Sequence, residues 1–200
     1  PDIITLTDNM LPEDINQQSY PIKQYKPTHI PGISVYHHTN LHASRLPNPN
    51  PIQDTHHIII QLHADEKLNK PTHTIINLYH RPRKNNSQFI QDLQTTIDTI
   101  QIKSPTTEFT IVGDININLF KLTPEHQFHN FLTENNLHTT ITTPTRYDPT
   151  HNTATLIDTI LTTMTHKETT AGTISTPLSD HLPIYATFNN PTPRKNQKSQ

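Results

Sequence analysis

The apolar residues of this chain fall into short runs separated by polar, proline-containing segments. His57-Ile-Ile-Ile-Gln-Leu62 and His73-Thr-Ile-Ile-Asn-Leu-Tyr79 are rich in β-branched residues and read as core strands joined by a polar turn from Ala64 to Pro71. Pro1-Asp-Ile-Ile-Thr-Leu6, Gly32 to Tyr36, Phe109 to Val112, Leu156 to Leu161 and Ile184 to Phe188 read the same way. Shorter strands are expected at Thr139 to Thr142 and Thr173 to Thr176. Residues 12–31 and the stretch from His37 to Asp54 carry Pro, Asn, Gln and Lys and read as loops. The period changes at Ser87. Phe89, Ile90, Leu93, Ile97 and Ile100 share one helical face up to Lys103, with Ser87 placed to cap it. A second helix is expected to open at Thr123-Pro124, bury Phe128, Phe131 and Leu132, and end at Asn135-Asn136. Strands outnumber helices, and the helices lie between them. That order predicts sheets packed together with helices outside, an α/β sandwich.

The chain's 200 residues suit one domain, expected over residues 1–190, followed by a polar tail (191–200) expected to be disordered. A net charge of −2 gives no global basic signature, so any DNA contact must come from a local patch. Without Cys there is no disulfide framework and no thiolate metal site. No apolar run approaches the length of a bilayer span, so no membrane partner is expected and the location is read as intracellular. The 15 His residues lack metal-site spacing and read as scattered composition.

Candidate chemistry sits at strand ends. Phe109-Thr-Ile-Val runs into Gly113-Asp114-Ile115-Asn116, presenting a carboxylate and an amide. Such a pair can hold a water, a metal or a phosphate, and it equally suits an Asp/Asn turn. Asp8 follows the first apolar run, Asp158 lies in a strand, and Ser179-Asp180-His181 precedes the last one. Each is weak singly. Together they place carboxylates, an amide and an imidazole where loops on a rigid scaffold build sites.

Gly113-Asp114-Ile-Asn116, Ile157-Asp158-Thr-Ile-Leu161 and Ser179-Asp180-His181, in this order, resemble the endonuclease/exonuclease/phosphatase superfamily, above all the apurinic-type endonuclease domain of non-LTR retrotransposons. Pro1 to Asp8 resembles the segment ending in the family's metal-binding Glu. Asn77-Leu-Tyr79-His-Arg81-Pro82 resembles its N-x-Y-x-x-P strand end, and Pro144-Thr145-Arg146 a Pro-Thr-Arg of arthropod-type elements. The resemblance implies a four-layer α/β sandwich of two packed, mostly antiparallel sheets flanked by helices. It also implies that the chain begins after the family's first strand.

Implied roles follow residue by residue. Asp114 would deprotonate the attacking water and Asn116 hold the phosphate. Asp158 would keep His181 protonated against the phosphate, and Tyr79 would donate to it or stabilise the leaving group. Asp8 and Asp180 would ligate Mg²⁺ or Mn²⁺, hard ions that favour carboxylates. Thr145 would meet the DNA backbone, with Ser179 near it; Arg81 and Arg146, by their charge at the site edge, could meet phosphates or equally form a solvated charged loop. The implied activity is nicking of DNA, in the nucleus when genomic DNA is the target, to prime a reverse transcriptase domain of the same polyprotein. The chain departs from the family in carrying Asp8 where it has Glu, a methylene shorter, and Ile115 where Phe commonly follows the Asp. Alternative readings are a decayed remnant, an apurinic-site repair nuclease, or a phosphatase.

Overall fold

The structure, a computed structural model, describes residues 1–9, 20–64, 71–165 and 169–189. Its centre is a six-stranded sheet in the order β4 (Ala43–Leu46), β5 (Thr55–His63), β6 (Pro71–His80), β7 (Glu108–Asp114), β11 (Asp158–Thr162), β8 (His138–Thr139). All neighbours are antiparallel except β6 and β7, which run parallel and are joined by helix α1 (Asn86–Lys103). That crossover is the reason β6 and β7 end at the same edge of the sheet.

One face of this sheet is covered by α1 and α2 (Gln127–Glu134). Phe89, Leu93, Ile97 and Ile100 of α1 and Phe128 and Phe131 of α2 pack on Ile59, Ile76, Leu78, Phe109 and Ile111. The opposite face meets smaller sheets. The first, β1 (Ile3–Thr7), β3 (Ile33–His38) and β2 (Tyr25–Ile30), seats Ile33 and Val35 against Ile58, Ile60 and Ile75. The second, β12 (Thr169–Thr173) with β13 (Ile184–Phe188), covers Ile141, Leu156 and Ile160. A short hairpin of β9 (Arg146–Asp148) and β10 (Thr153–Thr155) precedes β11. This is the expected α/β sandwich of packed, mostly antiparallel sheets. Among the described residues the helices lie on the outer face of the six-stranded sheet, and none covers the smaller sheets. No helix is long and apolar enough to cross a membrane among the described residues.

Several boundaries differ from the sequence expectation. β2 lies inside the stretch read as a loop; it is an edge strand, where Pro27 costs no interior ladder bond. β4, also an edge, lies inside the expected connection. Asn85, not Ser87, caps α1 by accepting from the Gln88 N–H. Thr123-Pro124 makes a turn closed by His126 N–H to Thr123 C=O at 3.0 Å, and α2 starts afterwards with His126 as its cap. The strand expected at Thr173 to Thr176 is β12, shifted back to pair with β13. The expected tail at 191–200, residues 12–19 of the first expected loop and most of the turn after Ala64 lie outside the described residues.

Candidate active site at the end of strands β6, β7 and β11

The chemistry-bearing residues share one sheet edge because of register. Tyr79 on β6 pairs with Asp114 on β7, and Asp114 pairs with Asp158, the first residue of β11. Three strands thus present one row of side chains. Gly113 makes this close packing possible. Its φ is +138°, and a Cβ there would lie 1.9 Å from the carbonyl oxygen of Leu78. Beyond the strand, the Asn116 N–H donates to Asp114 Oδ1 at 2.9 Å, and the Asn116 side-chain amide donates to the His80 carbonyl at 2.7 Å. The turn therefore ties the ends of β6 and β7 together. His181 enters from the segment before β13, its Nδ1 3.0 Å from Asp158 Oδ2. Ligand atoms of Asp114, Asp158 and His181 all lie within 4.8 Å of one another.

Burial and charge tune these groups against each other. Asp114 is 6% exposed; burial, then the neighbouring Asp158 carboxylate, pushes its pKa up from 3.8 to about 7. His181 moves the other way from a buried base: its hydrogen bond to Asp158 raises the imidazole above its usual value. Desolvation chiefly, then Asp8 and Asp114, raises Tyr79, whose hydroxyl hydrogen-bonds Asp8. The edge thus carries a carboxyl whose proton exchange is moved toward neutral pH, an imidazole that Asp158 biases toward its protonated form, and a phenol that keeps its proton.

Residues 73–185, spanning β6 to β13, match the family of endonuclease-reverse transcriptases. The chain belongs to that family. It sits within the endonuclease/exonuclease/phosphatase superfamily, and solved structures share its fold. The human Nocturnin catalytic domain with bound sulfate superposes with a TM-score of 0.61 at 15% identity, over 94% of this chain and 79% of that one. The endonuclease domain of TRAS1, a telomere-specific non-LTR retrotransposon, gives 0.57 at 12% identity, over 94% and 80%. D. rerio TDP2 complexed with a single-strand DNA product gives 0.60 at 12%, over 95% and 86%. No curated protein sequence is significantly similar to the chain.

Within this member of the endonuclease-reverse transcriptase family, the structure gathers Asp114, Asn116, Tyr79, Asp158, His181 and Asp8 at one place. Asp180 is engaged elsewhere. Asp180 is exposed and accepts from Arg146 Nε at 2.9 Å, which also holds its carboxyl below the usual range. Ser179 turns the chain, its Oγ accepting from the His181 N–H at 3.1 Å. Thr145 is a correction. Its side chain is 0% exposed, and its Oγ accepts from the Asp158 N–H at 3.1 Å, so it braces β11 rather than meeting DNA. Arg81 is exposed at the rim. His56 is the residue sequence reasoning missed. It stands opposite Tyr79 on β5, which only the β5–β6 register reveals.

Proposed function

We propose that this chain is a Mg²⁺-dependent endonuclease domain that nicks one DNA strand by phosphodiester hydrolysis. The carrying observation is the row Tyr79–Asp114–Asp158 with His181 bonded to its end, which sets a buried carboxyl with a pKa of about 7 beside an imidazole that Asp158 biases toward its protonated form. Asp114 takes a proton from a water through the carboxylate oxygen not engaged by Asn116, at a pKa suited to the task. The water oxygen bonds to phosphorus as the bond to the 3′ oxygen breaks. That oxygen takes up a proton, leaving a 3′ hydroxyl on one side and a 5′ phosphate on the other. His181 imidazolium neutralises a phosphoryl oxygen, and the Tyr79 hydroxyl donates to another. Asn116 stays bonded to His80 and holds Asp114 in place.

The donor chemistry fits a hard cation at Asp8. Mg²⁺ is commonly held by one or two carboxylates and keeps several waters. Asp8 is exposed beside Tyr79, on which Asp114 also acts, whereas Asp180 is engaged by Arg146. An ion held by Asp8 would supply charge neutralisation at the phosphate. Mn²⁺ meets the same requirements. The TRAS1 neighbour and the family's description support a retrotransposon setting, in which the 3′ hydroxyl primes a reverse transcriptase domain of the same polyprotein. Genomic DNA as substrate places that event in the nucleus.

The test converts supercoiled plasmid to nicked circle with Mg²⁺, with EDTA, and with Asp114→Ala. Nicking that needs the ion and disappears in the variant supports the proposal. A folded protein that does not nick, but does so as Asp8→Glu, supports the second reading, a copy disabled by a carboxylate one methylene short.

A further inference from the structure

The row of side chains that carries Tyr79, Asp114 and Asp158 continues onto β5, where His56 is the register partner of Tyr79. The two rings stack with centroids 6.3 Å apart and planes inclined by 29°. On its other side the imidazole rests on Gly32 in the β2–β3 turn, where an added Cβ would sit 3.4 Å from the ring. Its Nε2 lies 2.9 Å from a terminal guanidinium nitrogen of Arg81. A guanidinium only donates, so Nε2 is the acceptor and the ring proton resides on Nδ1.

The cations around the edge are not equivalent. Arg146 is paired with Asp180, and Lys84 with Asp54 at 3.3 Å. Among the described residues no carboxylate pairs with Arg81. Its charge still reaches the Tyr79 hydroxyl, where it opposes the rise in pKa that burial causes. Its backbone is also fixed, the Arg81 N–H donating to the Asp54 carbonyl at 3.0 Å. A neutral ring acceptor orients the guanidinium without cancelling its charge, which a carboxylate in the same place would do. Holding a long side chain in advance also removes part of the ordering cost of binding.

We propose that His56 is a positioning residue that presents Arg81 as a subsite for a phosphate of the substrate strand, on the Tyr79 side of Asp114. This rests on the endonuclease reading above. The ligand class is a phosphodiester anion, recognised by the guanidinium donors that His56 leaves unoccupied.

The test measures the Kd of the full chain for a short duplex oligonucleotide in EDTA, across a salt series. Arg81→Ala is expected to weaken binding by roughly tenfold at low salt and to lower the salt slope by about one. His56→Ala is expected to weaken it comparably, and the double variant no further than Arg81→Ala alone. His56→Gln, whose amide oxygen can accept from Arg81, is expected to restore most of the affinity. A simple folding defect would not be rescued in this way. Independent, multiplicative effects of the two alanine variants overturn the proposal, as does wild-type affinity in His56→Ala. Absence of any duplex binding by the folded wild type counts against the endonuclease reading. The subsite is then decided by NMR with inorganic phosphate: joint shifts of the His56 and Arg81 side-chain signals that vanish in Arg81→Ala uphold it, and their absence overturns it.

Discussion

Replacing Asp114 with Asn should abolish nicking and yet stabilise the fold. The carboxyl is buried beside Asp158, and its pKa rises from 3.8 to about 7. Unfolding lets it return to the ordinary value, so between those pH values the native state binds more protons than the unfolded one, and stability falls as pH rises. Above about pH 7 the deficit is constant. At ~1.4 kcal/mol per unit the penalty at pH 8 is on the order of 2–4 kcal/mol, the lower end allowing for readjustment of Asp158 and His181. Asn keeps the oxygen that accepts from Asn116 and never ionises. In thermal unfolding with EDTA at pH 8, Asp114→Asn should melt roughly 5–15 °C above wild type. Most of the gap should close on going down to about pH 4, near the carboxyl's unfolded value, and the rest below it, where both side chains are uncharged in both states. A variant that melts with or below wild type at pH 8, or a gap that persists unchanged to pH 4, would refute the argument that burial strains this carboxylate.

The pH profile of kcat/KM should be bell-shaped, rising as Asp114 ionises near pH 7 and falling as His181 loses its proton above the normal imidazole range. In Asp158→Asn the alkaline limb should move to lower pH, because the carboxylate charge that favours the protonated His181 is gone, with a rate loss of about 10²–10⁴; an unmoved limb would show that His181 does not set it. His73 is buried against Thr110, and burial lowers its pKa from 6.5 to about 4, so its neutral form adds stability that is lost as pH falls across that window. Chemical denaturation at pH 7 and pH 4.5 should show an acid loss in wild type larger by about 2 kcal/mol than in His73→Gln, and equal losses would count against it. Gly113→Ala should cost about 3 kcal/mol or more, since the added Cβ meets the Leu78 carbonyl at an unfavourable φ; near-wild-type stability would mean the strand ends can spread.

Much of the site was legible because its residues follow apolar runs directly. Phe109 to Val112 had to be a core strand, which put Asp114 at its end, and Leu156 to Leu161 put Asp158 within a strand, of which it proves to be the first residue. Strand edges were harder. β2, β4, β9 and β10 are polar or short, and their existence depends on a partner rather than on their own pattern. The roles of Thr145 and His56 depend on register. Nothing local in Pro144-Thr145-Arg146 shows that the hydroxyl will brace the Ile157 and Asp158 amides, and nothing in His56-His57 says which ring meets Tyr79. Likewise Arg146 claims Asp180 only because its strand bridges His181.

The imidazole reaches the site on an element that belongs to no large sheet. Among the described residues β12 and β13 pair only with each other. Their ties to the body include an apolar contact through Ile184, Ala186 and Phe188, the edge contact of Phe188 with His73, the His181–Asp158 and exposed Arg146–Asp180 pairs, and backbone bonds from Tyr147 to Asp180 and Leu182 to Thr145. A small flap held so lightly opens at lower free energy than the central sheet, so its amides should exchange with solvent ahead of those in β6 and β7. If the chain nicks DNA as proposed, the docking equilibrium of this flap governs that activity, and warming is expected to silence nicking while most of the secondary structure is still in place.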